Sequence, residues 1–361
     1  METRTHRLAR HRARARALST LWTSIERPLR SRLAAERVGH QTTFLTTSPP
    51  CTEAEPLSHV APFRPDPRLF PFESRWFESG VGPVHYVDEG EGDPILLLHG
   101  NPTWSFLYRG VIIRLKKTFR CIAVDYPGFG LSVRPEGYGY TPADHAEVAR
   151  DLVRHLDLTR LTIVGHDWGG PIGLRVAADE LPRVRALVMG NTWYWPPDGW
   201  QMKAFAYVMS SAPMQSMILN RNLLVEKLMP LGVKHPLADE VMHQYREALP
   251  TPGSRVGAAE LPRQLLQAAL WLGALQDDVR DRLSNVPILL TWGIHDLAFP
   301  PRLMERFRDD FRLARAHRLD AKHFIQEDAP GELAEAIEEF LGGLDGGDGG
   351  EPMWGSAASG G

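Results

Sequence analysis

Gly165-His166-Asp167-Trp168-Gly169-Gly170 follows the apolar run Leu161-Thr162-Ile163-Val164 and leads into a helical stretch. A strand that turns through Gly-x-Asp-x-Gly into a helix forms an elbow, because small residues permit a sharp turn that projects one side chain. Here the projected side chain is Asp167, where such elbows usually carry serine. A serine needs a base to remove its proton; a carboxylate with an ordinary pKa of about 4 is already charged at neutral pH. It can attack an sp³ carbon directly and leave an alkyl ester on the enzyme. It is poorly suited to opening an ester or amide, which argues against lipase, esterase and peptidase chemistry. The plainer role for Asp167 is a helix N-cap, but its setting between strand and helix favours the nucleophile.

An alkyl ester must then be hydrolysed, and that requires a base for water. Ala321-Lys322-His323-Phe324-Ile325-Gln326-Glu327 supplies His323, after a strand-like segment and before the last helix. The chain has 14 histidines, so placement rather than residue type separates His323 from a surface or capping histidine. A base needs a partner that fixes its tautomer and stabilises the imidazolium. The run Pro287 to Trp292 continues into Gly293-Ile294-His295-Asp296, which places Asp296 after a strand. Asp296 is the expected acid, with a turn residue as the alternative; His295 reads as structural.

His99-Gly100-Asn101-Pro102-Thr103-Trp104 forms the third element. The backbone N–H groups of Asn101 and Trp168 can make an oxyanion hole for the ester-hydrolysis step. The Asn101 amide and the Trp168 indole are also neutral donors. Two such donors can cradle a departing halide without trapping it in a tight ion pair. Taken singly, Asn101 could shape a turn and Trp168 could pack in the core.

These residues need a scaffold that presents strand ends together. Short continuous apolar runs at Val84–Val87, Pro94–His99, Cys121–Asp125, Leu161–Gly165, Val184–Met189 and Pro287–Trp292 fit strands buried on both faces. Helical stretches alternate with them at Pro142–Leu156, Gly170–Asp179, Pro301–Phe311 and Gly331–Leu341. The class is α/β with a mostly parallel, doubly wound sheet. The alternation stops over 192–283, which is rich in Met, Leu, Trp, Tyr and Ala at helical spacing. An inserted helical cap there would roof the carboxyl ends of the strands. Trp193, Trp195, Phe205, Met209 and Met217 are the candidate pocket liners, although apolar residues at helical spacing also serve as plain core. Core segments are expected at 63–191 and 284–341.

The 361 residues, 43% hydrophobic, suffice for a large core, and the net charge of -3 gives no sign of a nucleic-acid partner. Residues 1–62 differ in character: Arg4, Arg7, Arg10, Arg12, Arg14 and Arg16 are followed by Thr, Ser and Pro. They read as a disordered basic extension, with no apolar segment of a secretory signal behind the arginines. Residues 342–361 are Gly-rich and read as a flexible tail. The two cysteines, Cys51 and Cys121, make no disulfide framework, and no apolar run reaches membrane-spanning length. The expectation is a cytoplasmic protein without a membrane partner.

HGNPTWSFLYR at 99–109, DYPGFGLS at 125–132, GHDWGG at 165–170, GIHDLAF at 293–299 and the late His323 together resemble the haloalkane dehalogenases, of the α/β-hydrolase fold. The resemblance spans roughly Pro65 to Leu341. It implies attack by Asp167 on a halogen-bearing carbon, with Asn101 and Trp168 holding the halide. His323, backed by Asp296, then activates water. The chain order Asp167, Asp296, His323 suits the fold. The implied partners are a haloalkane, water and halide, with no cofactor and no metal. Some members of the family carry the acid as Glu after the preceding strand; here Val188-Met189-Gly190-Asn191-Thr192 has none. Asn101 together with Asp296 resembles the third subfamily.

The nearest rival is an epoxide hydrolase, which shares GHDWG and the Asp–His–acid set. Its leaving alkoxide needs a proton, usually from cap tyrosines, and Tyr194, Tyr207 and Tyr245 are available for that. Such enzymes typically carry an aromatic residue where this chain has Asn101. Dehalogenases of fluoroacetate type call for an arginine after the nucleophile, where this chain has Trp168. A catalytically silent binding protein on the same fold is disfavoured by retention of Asp167, Asp296 and His323.

Overall fold

The computed structural model describes residues 61–345. The basic segment, Cys51 and residues 346–361 lie outside the described residues. Eight strands form one sheet: β1 (Arg75–Ser79), β2 (Gly82–Glu89), β3 (Pro94–Leu98), β4 (Arg120–Val124), β5 (Leu161–Asp167), β6 (Val184–Thr192), β7 (Ile288–Gly293) and β8 (Ala314–Leu319). Their order is β1-β2-β4-β3-β5-β6-β7-β8. The β1–β2 and β2–β4 pairs are antiparallel, and every later pair is parallel.

The central strands are largely apolar and buried because helices cover both faces of a parallel sheet. All five residues of β3 are buried, as are all six of β7. The edge strands escape that pattern. β1 reads RWFES and β8 reads ARAHRL, each half exposed, so neither shows a continuous apolar run.

The helices of the core are α1 (Arg109–Leu115), α2 (Pro142–His155), α3 (Gly169–Asp179), then α9 (Arg302–Asp310), α10 (Ile325–Asp328) and α11 (Pro330–Asp345). Between β6 and β7 come α4 (Trp200–Ser210), α5 (Ala212–Arg221), α6 (Asp239–Glu247), α7 (Val256–Gln267) and α8 (Ala269–Asp278). α2 starts on a capping box: the Thr141 side chain accepts from Asp144 N, and the Asp144 carboxylate accepts from Thr141 N.

The tail begins later than Gly342. α11 continues to Asp345, with Leu341 buried and Leu344 packed against the core. Arg185 holds that last turn, donating to the Leu341 carbonyl at 3.0 Å and pairing with Asp345 at 2.7 Å. Core contacts outweigh two glycines in the final turn.

Several bonds seat the β6–β7 insertion on the core. Arg134 Nη2 donates to the Ala248 carbonyl at 2.8 Å, Phe324 N to the Gly232 carbonyl at 3.0 Å, and Lys322 Nζ to the Leu231 carbonyl at 3.2 Å. Tyr245 of α6 donates to Glu327, which also accepts a two-pronged bond from Arg109 at 2.5 and 2.7 Å.

Candidate active site

Asp167 is the last residue of β5, at φ 51°, where a side chain crowds its own backbone. The turn is held from the neighbouring strand end, where Thr192 Oγ1 donates to the Asp167 carbonyl at 2.6 Å. Two glycines exist to let chain segments approach. A Cβ at Gly169 would overlap the Leu98 carbonyl, and one at Gly100 would overlap the Asp167 side chain. The end of β3, the elbow and the start of α3 are therefore packed backbone to backbone.

Asp167 Oδ1 accepts from the Asn101 backbone N–H at 2.8 Å. Burial pushes the Asp167 carboxyl up from its ordinary value. The nearby His323 and the backbone N–H groups of Asn101 and Trp168 oppose that shift without cancelling it. The side chain keeps 13% of its surface exposed. A partly desolvated carboxylate carries fewer waters to shed before it attacks carbon.

His323 Nδ1 lies 2.9 Å from Asp296 Oδ2, and its Nε2 lies 3.9 Å from Asp167 Oδ2, too far for a hydrogen bond. Asp296 is buried, which by itself would raise its pKa. His323, the Asn191 amide and backbone donors outweigh burial and hold it down to about 2. Asn191 Nδ2 donates to Asp296 Oδ2 at 2.6 Å, and Ala298 N donates to Oδ1 at 2.7 Å. An ionised Asp296 makes Nδ1 the protonated nitrogen of neutral His323 and leaves Nε2 unprotonated on the Asp167 side. Burial alone would lower the His323 pKa; Asp296 and Asp167 reverse this, and the net shift is upward.

His166 Nε2 lies 2.8 Å from the His323 carbonyl. A carbonyl only accepts, so Nε2 carries the proton. Burial drives His166 down to about 3, and the ring stays neutral beside His323.

The structure thus brings Asp167, His323, Asp296, Asn101 and Trp168 together. Trp168 is buried, with its ring edge-on to Trp193 at 4.7 Å, and its indole N–H bonds to no described residue. The Asn101 amide Nδ2 donates to the Ala258 carbonyl of α7 at 3.0 Å. Among the five candidate liners, Trp193 adjoins the site: it also stacks on Phe299 at 5.1 Å, and Phe299 stacks on His323 at 5.5 Å. Met209 is buried. Phe205 and Met217 correct the expectation of a buried lining: they are 48% and 44% exposed because they fall on the outer faces of α4 and α5. Trp195 packs instead on Tyr194 and Phe307, beneath the Arg306 guanidinium.

Sequence reasoning assigned no role to Asn191 or Phe299. Asn191 bridges β6 and β7, since its Oδ1 accepts from Gly293 N at 2.9 Å while its Nδ2 holds Asp296. Its signal was available: a polar pair, Asn191-Thr192, closing an otherwise apolar strand end.

Residues 93–330 match the family model of the alpha/beta hydrolase fold. Haloalkane dehalogenase 2 of Mycobacterium tuberculosis is 52% identical over 285 residues, covering 78% of this chain and 99% of the relative. The chain belongs to the haloalkane dehalogenases. The crystal structure of a haloalkane dehalogenase from Agrobacterium tumefaciens C58 superposes with a TM-score of 0.69 at 26% identity, over 75% of this chain and 96% of that one. A more distant relative, a cis-3-alkyl-4-alkyloxetan-2-one decarboxylase of Shewanella oneidensis, is 29% identical over 76% of this chain and 89% of its own length. In this dehalogenase the acid that reaches the histidine stands after β7, and an amide occupies the end of β6.

Proposed function

We propose that this dehalogenase hydrolyses haloalkanes to an alcohol and halide through an alkyl ester on Asp167. The observation that carries the reading is the carboxylate at the elbow, gripped by the Asn101 N–H, with His323 near enough to serve it through a water but not bonded to it. An Asp167 oxygen attacks the halogen-bearing carbon as the carbon–halogen bond breaks, and halide departs toward the Asn101 amide and Trp168 indole. Water then attacks Cγ of the ester while His323 Nε2 takes its proton. The negative charge on the carboxyl oxygen is met by the N–H groups of Asn101 and Trp168. Collapse breaks the Cγ–O bond and releases the alcohol with a proton returned by His323; the second water proton, left on the Asp167 carboxyl, passes to solvent and restores the carboxylate.

Of the three cap tyrosines that an epoxide hydrolase could use, two are committed elsewhere and one faces solvent. Tyr194 donates to Asp310 at 2.6 Å, Tyr245 donates to Glu327, and Tyr207 is 68% exposed. The helices of 192–283 act in this reading as the cap, and Asn101 with Asp296 favours the third subfamily. We also assign the protein to the cytoplasm; no helix among the described residues is long and apolar enough to cross a membrane, and Cys121 is a buried free thiol. The test is a paired panel. Purified protein is expected to release bromide from 1-bromobutane and to leave styrene oxide unopened; the reverse result overturns the reading.

A further inference from the structure

Pro262 lies inside α7, a position that ordinarily disfavours a helix. In an α-helix the N–H of residue i bonds to the carbonyl of residue i−4. The carbonyl that residue 262 would fill is that of Ala258. Proline offers no N–H, and its ring crowds the i−4 carbonyl and tilts it off the helix axis. The freed Ala258 oxygen accepts instead from Asn101 Nδ2 at 3.0 Å. The next carbonyl, Ala259, likewise accepts an outside amide, Gln215 Nε2, at 3.0 Å.

The bond to Ala258 anchors the Asn101 side chain alone among the described residues, since Asn101 Oδ1 is buried with no partner. An asparagine amide can sit in two orientations that exchange oxygen and nitrogen. Opposite a carbonyl, only the NH₂ end is attracted; the flipped amide would set acceptor against acceptor. The other hydrogen on Nδ2 is then left for a ligand beside Asp167, whose Oδ1 accepts from the Asn101 backbone N–H at 2.8 Å. We propose that Pro262 is a positioning residue for the leaving group: by releasing the Ala258 carbonyl it fixes the Asn101 amide with its donor available to the departing halide. This rests on the reading of Asn101 as a halide donor.

The test uses the full-length protein and Pro262→Ala. Restoring the helical N–H draws the Ala258 carbonyl back on axis, so the thermal midpoint is expected to hold or rise. The bromide product-inhibition constant is expected to weaken about fivefold, the scale of one hydrogen bond. kcat/KM for 1-chlorobutane should fall more than for 1-bromobutane, because chloride is the poorer leaving group and leans harder on its donors. In an Asn101→Ala background, Pro262→Ala should change the bromide constant by less than about twofold, because the amide it acts through is gone. A bromide constant within twofold of wild type, an equal effect in the Asn101→Ala background, or a lowered midpoint overturns the role of Pro262 while halide release by the wild type leaves the dehalogenase reading standing. A wild type that releases no halide overturns both.

Discussion

In the proposed cycle the charge on Asp167 and the protonation of His323 are coupled. In the free enzyme the Asp167 charge is one of the influences raising His323. Alkylation spends that charge, so His323 becomes less basic when it must be neutral to accept a proton from water. The expected outcome is a split between two measurements. The His323 ring, followed by NMR in the free enzyme, should titrate above the ordinary histidine value of about 6.5. The acid limb of kcat, measured where ester hydrolysis limits turnover, should lie at lower pH; coincident midpoints would contradict the coupling. His323→Phe should stop the cycle after alkylation, and intact mass after 1-bromobutane should then show a butyl adduct mapping to Asp167. An unshifted mass would count against Asp167 as nucleophile.

At the scale of elements, the site is a meeting of strand ends whose spacing the glycines set. Gly169→Ala is expected to cost more than about 4 kcal/mol, or to prevent folding, because its methyl group meets the rigid Leu98 carbonyl rather than a side chain that can swing away. Urea melts of purified variants would show this, with a conservative control at exposed Gly80, where a Cβ meets nothing within 4 Å. Asn191→Ala removes a donor from buried Asp296 and an acceptor from Gly293 N, and a loss of about 1–3 kcal/mol is expected in the same assay. The central strands and the Gly-x-Asp-x-Gly turn were legible because burial on both faces and close backbone approach each restrict residue type. β1 was not, and β8 was read only as a strand-like segment without bounds ahead of His323, because an edge strand with one wet side tolerates Arg, Glu and His. α1 was missed, since seven residues are too few for a period to declare itself. Of the insertion, only its helical character could be read: which apolar side chain faces inward depends on how α4 and α5 are rotated, and Phe205 and Met217 turned outward.

Across the whole molecule, burial sets the response to acid. His99, His145 and His166 are driven down to about 4, about 3 and about 3, so each stays neutral in the fold where an unfolded chain would bind a proton. Below the unfolded histidine value near 6.5 the unfolded state gains those protons first, and stability declines as pH falls toward the folded values. His145, stacked on Tyr126 at 4.9 Å, is the one furthest removed from proposed chemistry. His145→Phe should reduce the stability lost between pH 7 and pH 5 by about 2 kcal/mol, read as a flatter thermal midpoint against pH; an unchanged slope would exclude His145 as a contributor. The seating of the insertion has a different kind of consequence. Leu231, Gly232, Ala248 and Ala258 meet the core through their main-chain carbonyls. A peptide carbonyl is supplied by any amino acid, so these four attachments place no demand on which side chains the insertion carries, and substitutions there need not loosen its seat.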